Sequence, residues 1–212
     1  MSGPPRMLPT WIALAAVVLA AIAGLHAITQ GFTAVTSDQA RQRMLAETPR
    51  DLPAIQLVDS HGQVTDLRRL VSRHPYTVVS LVYTQCTSLC LLTASSESYV
   101  QDRLRGGSME EQVGLVTISF DPARDTPDAL SQYARRIRAE PGRWAIATVA
   151  DPSDLDRLLD TFGVVVLPDG AGDYVHNGAL FLVDRHGRLF DALDPDAADV
   201  AVARLTRLVQ AQ

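Results

Sequence analysis

Apolar and polar positions divide the chain into three zones. From Leu8 to Ile28 there are 21 residues without a single Asp, Glu, Lys or Arg. That is the length an α-helix needs to cross a bilayer, and Pro9 suits the first turn of such a helix. Residues 30 to 50 are polar and predict a short helix or linker. From residue 53 onward short apolar runs alternate with amphipathic stretches. AIQLVDSHGQVTDL predicts a strand, a turn at His61–Gly62 and a second strand. TVVSLVY (77–83), GLVTISF (114–120), WAIATVA and ALFLVD predict buried strands rich in β-branched residues. Between them, LCLLTASSESYVQDRL predicts a helix stopped by Gly106–Gly107. Asp125-Thr126-Pro127 opens a second helix, ALSQYARRIRAE, with Asp or Thr as its cap. LDRLLDTFG and DAADVAVARLTRLVQ predict two more, and His186–Gly187 turns the chain into RLFDAL. Strands alternating with helices of this length predict an α/β domain built on a central mixed sheet with helices packed against it.

Composition changes this picture little. The 212 residues suffice for one sizeable core besides an anchor. Every basic side chain apart from five histidines is arginine, and the net charge is −5. That charge, with no basic patch, argues against a nucleic-acid partner. Arg6 lies just before the apolar segment, and the next cations, Arg41 and Arg43, follow well after it. This asymmetry predicts the N-terminus inside and the C-terminal part outside. The Ala-rich end of the segment also fits a cleaved signal. His26 is read as an interfacial residue.

The chemistry concentrates in TQCTSLC, which holds the chain's two cysteines, Cys86 and Cys90, spaced C-x-x-x-C. Cys86 follows a buried strand and precedes a helix, where sites gather in open α/β sheets. Four residues apart on a helix, the two sulfurs share a face. The positive end of a helix favours thiolate. A bridge closing so small a loop would constrain the unfolded chain little, so a metal or redox role fits better than a staple. Paired thiolates select Cu(I), zinc or iron–sulfur centres, and need a further ligand. His61 and His186 are accounted for by their turns, and His74 by a surface position. His176, in GDYVHNGALFLVD, lies just before a buried strand. The Gly- and Asp-rich loop at 168–173 that leads into it can fold over the site. A capping or surface role for His176 stays open at this point.

Four stretches in order resemble the Sco/SenC family of membrane-anchored, thioredoxin-like proteins. They are the N-terminal apolar segment, VYTQCTSLC, ISFDPARDTPDALSQYA, and VHNGALFLVDRHGRL. The third is the most specific, and the likeness covers roughly residues 50 to 210. It implies a thioredoxin-like fold and a copper site made by Cys86, Cys90 and His176. It also implies copper, as Cu(I) with Cu(II) as a further option, delivered to the copper-bearing subunit of cytochrome c oxidase. Another copper chaperone is a second candidate partner. Thr87 and Leu91 stand where the family has proline, and Val175 where it often has aspartate. The last change removes a neighbour that would tune the histidine. Asp121 is read as supporting the ligands without touching the metal, against a plain turn and helix cap. Arg124 and Asp125 are expected to pair across that turn.

The resulting division is an anchor or signal segment at 1–30, a juxtamembrane linker at 31–50, and a thioredoxin-like copper-binding domain at 51–212. The expected setting is a single pass through the inner membrane, with the domain on the periplasmic side. The main expectation is a metallochaperone and not an enzyme. The enzymatic alternative is a thiol–disulfide oxidoreductase, with Cys86 attacking and Cys90 resolving. A peroxidase-like reading would enlist Thr84 and Arg124 around Cys86.

Overall fold

In the computed structural model of the protein, the described residues are 8–28, 37–86, 89–107, 109–170 and 172–211. Arg6, Thr87, the last two residues of the expected anchor segment and residues 31–36 of the expected linker lie outside them, as do the side chains of Cys90 and Leu91. Two units make up the chain, one ending at Ala40 and one running from Arg41 to Gln212. In the first, helix α1 (Leu8–Ile28) is exposed along its described length. It is long and apolar enough to cross a membrane, by length and composition.

Helix α2 (Ser37–Glu47) leads into the second unit, where Leu45 is buried and the Arg41 guanidinium lies 5.5 Å over the Phe181 ring. There follow β1 (Arg50–Asp51), β2 (Gln56–Asp59), β3 (Val64–Asp66), α3 (Leu67–Val71), β4 (Tyr76–Val82), α4 (Leu89–Leu104) and β5 (Val113–Ser119). The rest are α5 (Pro127–Arg136), β6 (Trp144–Val149), a 3-10 turn at Pro152–Asp154, α6 (Leu155–Phe162), β7 (Val166–Pro168), β8 (Tyr174–His176), β9 (Leu180–Asp184), β10 (Arg188–Leu193) and α7 (Ala198–Gln210).

Eight strands form one sheet in the order β1-β10-β9-β4-β5-β6-β2-β3. β4, β5 and β6 run parallel, joined through α4 and α5, while β9 pairs antiparallel with β4 and β2 with β6. Both faces of the centre are covered, which is why β5 and β9 are buried at every residue and read as unbroken apolar runs. The arrangement is thioredoxin-like, as expected. The two His-Gly turns share one device: the Asp59 carboxylate accepts from the amides of His61 and Gln63, and Asp184 from those of His186 and Arg188. His74 instead points its ring at the backbone of Glu111 and over Gly114.

Two local features differ from the pattern reading. The Gly- and Asp-rich stretch that leads into His176 connects two unforeseen short strands, β7 and β8, which pair as a separate hairpin, and His176 is the last residue of β8. The run ALSQYARRIRAE does not stay helical to Glu140. Gln101 on α4 donates to the Arg138 carbonyl at 3.1 Å and accepts from the Glu140 amide at 2.8 Å, so tertiary hydrogen bonds replace the last helical turn. Arg138 is left at φ 56°, the one non-glycine residue at positive φ among those described. For a residue with a Cβ this costs on the order of 1 kcal/mol.

α4 carries a fully buried carboxyl, Glu97, onto the sheet. Its Oε1 accepts from Ser80 Oγ at 2.7 Å and Thr117 Oγ1 at 2.8 Å, and Trp144 Nε1 donates to Thr117 Oγ1 at 2.9 Å. Oε2 has no hydrogen-bond partner. Burial pushes the Glu97 carboxyl up to about 8, against the two hydroxyl donors that lower it. The folded state therefore holds a proton that the unfolded chain releases near 4.5. Stability is expected to be greatest below that range. It should fall by about 1.4 kcal/mol per pH unit as pH rises towards 8, then level off. In Glu97→Gln this slope should vanish, as measured by urea unfolding at pH 5, 6.5 and 8.

Candidate functional site

At the carboxyl end of β4 the chain turns through Tyr83, Thr84 and Gln85 to Cys86. The Cys86 amide donates to the Tyr83 carbonyl at 3.3 Å, and the side chain is 8% exposed. A buried carboxylate fixes this turn. Asp125 accepts from the Thr84 amide at 2.9 Å, and from the hydroxyls of Thr84 and of Ser119 at the end of β5. Asp125 is thus a tie between the ends of two strands, not a helix cap. The cap of α5 is Thr126, whose hydroxyl accepts from the Ala129 amide at 3.4 Å, with Pro127 next.

The expected Arg124–Asp125 pair is not made. Arg124 pairs with Asp121 through its Nε, because Asp125 is committed to Thr84 and Ser119. Asp121 is itself held by its amide, which donates to Ser119 Oγ at 3.0 Å. From there Arg124 reaches the β7–β8 hairpin. Its NH1 donates to the Gly172 carbonyl at 2.8 Å, and its guanidinium lies 5.7 Å from the Tyr83 ring and 5.0 Å from the Tyr174 ring. Asp121 therefore acts on the hairpin through Arg124.

His176 enters from that hairpin into an aromatic cage. Its ring lies 4.9 Å from the Phe120 ring and 6.0 Å from the Tyr83 ring, both edge-on, and Tyr174 packs edge-on against Tyr83 at 5.3 Å. His176 Nδ1 is 3.0 Å from the Asn177 carbonyl oxygen. A carbonyl only accepts, so Nδ1 carries the proton and Nε2 keeps its lone pair. Burial pulls the His176 pKa down, opposed by the Asn177 hydrogen bond and the Asp173 charge. The imidazole is thereby held in the neutral, metal-binding form.

Tyr83 joins the pieces. Its hydroxyl donates to the Asp173 carboxylate and lies in hydrogen-bonding contact with Cys86. Its pKa is raised, first by burial, then by Asp173 and Cys86, so it stays a neutral phenol. Cys86 and His176, far apart in sequence, are both neighbours of this one ring. Among the described residues no group of three His, Cys, Asp or Glu meets a metal-site geometry, and the Cys90 side chain falls outside that search. The helix α4 does include Cys90, as its second residue.

Pattern reading missed the cage and Asp173. The clue for Tyr83 and Phe120 was position: each directly follows the apolar run of a central strand. Val175 is exposed and offers no acid, yet Asp173 supplies a negative charge from three residues upstream. Thr84 and Arg124, enlisted for a peroxidase-like site, are engaged by Asp125 and Asp121. His61, His74 and His186 stay in their turns and surface contacts.

The fold is thioredoxin-like, with a buried thiol at a strand end and a histidine ring that share one tyrosine as neighbour. The SCO1/SenC family model matches residues 46–210, and the chain belongs to that family. It is 32% identical over 156 residues to a protein of Stutzerimonas stutzeri named for copper binding, covering 72% of each chain. Among solved structures it resembles Bradyrhizobium japonicum ScoI with copper bound, at 23% identity and a TM-score of 0.58, covering 74% of this chain and 99% of that one. It also resembles BsSco, described as a Sco-family cytochrome c oxidase assembly protein with a disulfide switch, at 16% identity and a TM-score of 0.64. That match covers 76% of this chain and 94% of BsSco.

Asp125→Ala removes a charged acceptor and leaves the Thr84 amide buried without it. Chemical denaturation is expected to show a loss of about 3 kcal/mol. Arg124→Gln frees the hairpin from β5 while keeping a donor towards Asp121. Amide hydrogen exchange across residues 172–176 should quicken by about tenfold with the global midpoint little changed.

Proposed function

We propose that the protein is a membrane-anchored copper carrier that takes part in assembling the copper centre of cytochrome c oxidase. Copper is its cargo, held by Cys86, Cys90 and His176. The observation that carries this reading is the shared contact of Cys86 and a neutral, Nδ1-protonated His176 with Tyr83. Two sulfurs and one imidazole nitrogen are a soft donor set suited to Cu(I). Family membership and the copper-bound structural relative support the same reading. The helix α1 fits a single membrane pass, with the domain on the periplasmic side.

The chain's own residues divide the work. Asp125 fixes the turn that presents Cys86. Arg124 and Asp121 hold the hairpin that presents His176. Phe120 and Tyr83 pack against the edges of the half-buried imidazole, and Asp173 with Tyr83 links the hairpin to the thiol turn. Transfer proceeds by exchange of one ligand at a time with thiols of the copper-bearing oxidase subunit or of another chaperone. A second reading, reduction of partner disulfides, draws support from the position of Cys86 just ahead of α4, where the helix dipole favours thiolate.

Anaerobic Cu(I) titration of the reduced chain against a competing chelator tests the proposal. One equivalent is expected to bind tightly. Cys86→Ser, Cys90→Ser and His176→Ala should each weaken it by at least a hundredfold, on the order of 3 kcal/mol. If His176→Ala keeps full affinity, the three-ligand site fails and reduction of disulfides becomes the better account.

A further inference from the structure

A groove of about 680 Å³ runs between α4 and the end of α5, and Cys86 lines it. Its lining extends from Ala94 on α4 to Arg105 just past the end of that helix, a rise of about 16 Å at 1.5 Å per residue. An extended segment of about five residues spans that length. The charges around it run against the sign of the chain. Arg105, Arg136 and Arg138 line the groove with a single acid, Asp102, whereas the whole chain carries −5.

These arginines differ in how they are held. Arg136 is preorganised: its NH2 donates to the Thr84 carbonyl at 2.7 Å, and its guanidinium stacks 5.0 Å over Tyr133. It therefore stands beside the very turn that presents Cys86. Arg105 is shared between Asp102 and Glu140. Arg138 is exposed and occupies the strained left-handed position at the end of α5, where glycine would be at ease. A side chain kept at a place that favours its absence points to a use for that side chain.

We propose that this groove is the docking site for an extended, acidic segment of the protein partner, which it guides to the Cys86 sulfur. The inference rests on the reading that Cys86 exchanges ligands or disulfides directly with partner sulfur, and adds which partners are admitted. The guanidinium groups supply the attraction, Tyr133 and the α4 face supply the walls, and Cys86 lies where the segment's own sulfur arrives.

Two small disulfides of opposite charge serve as probes: oxidised glutathione, an anion, and cystamine, a cation. In each reaction a protein thiolate attacks one probe sulfur, forming a mixed disulfide and releasing half of the probe as thiolate. The other protein thiol then attacks the protein's sulfur in that bond, closing Cys86–Cys90 and releasing the second half. Two electrons pass from dithiol to probe, and no copper takes part. The quantity read is the ratio of the two rate constants, glutathione over cystamine, for the full chain in neutral detergent at low salt. It is expected to fall about threefold in Arg138→Gly and about tenfold in Arg136→Gln/Arg138→Gly, and to rise in Asp102→Asn. Raising the salt should compress all of these differences. Arg138→Gly relieves the positive φ and so should not lower the melting temperature, which separates loss of charge from loss of fold. A ratio unchanged by these substitutions overturns the docking site. The copper titration is read separately, so weak Cu(I) binding alongside a ratio that moves would remove the metal reading and leave the groove.

Discussion

The buried carboxylate of Asp125 binds the carboxyl ends of β4 and β5 where the thiol segment leaves the sheet. Parallel strands stop with unsatisfied amides and carbonyls, and a turn made there needs partners that water cannot supply inside the domain. Asp125 accepts from the Thr84 amide and from the hydroxyls of Thr84 and of Ser119 at the end of β5. Its position follows from the sequence around it. Pro127 begins α5 and Thr126 caps it, so the residue before the cap is turned back towards the sheet. Everything closer to the sulfur is arranged on this fixed point.

From the same short stretch a second connection runs outward. Asp121 and Arg124 reach across to the β7–β8 hairpin, while the neighbouring Asp125 reaches inward to the thiol turn. Five residues, 121 to 125, thus hold both the thiol turn and the hairpin, which otherwise belong to distant parts of the chain. Tyr83 closes the circuit through Asp173 and the His176 ring. The two halves are joined by polar contacts and ring edges and not by the continuous sheet, so they can be disturbed without unfolding the core.

The central strands and main helices were legible because β-branched apolar runs and amphipathic repeats dominate their local energetics. Cys86 and His176 were legible as chemistry, and the family resemblance joined them. What pattern could not supply were choices decided by tertiary competition. Arg124 had two carboxylates within reach, and only the folded neighbours of Asp125 decide which one it takes. The end of α5 was hidden for the same reason, since Gln101 that stops it lies on another helix. The β7–β8 hairpin was missed because Gly and Asp at its tip outweigh three-residue strands in any local reading. Glu97 gave no sign of its burial, since its hydroxyl partners lie on β4 and β5.

The main sheet begins with a strand of two residues, β1, and ends with one of three, β3. Long exposed edges invite other chains to add a strand, and such unions are slow to part. Here there is almost no edge to extend. Margins this short guard the sheet against taking on a strand from another copy of the chain.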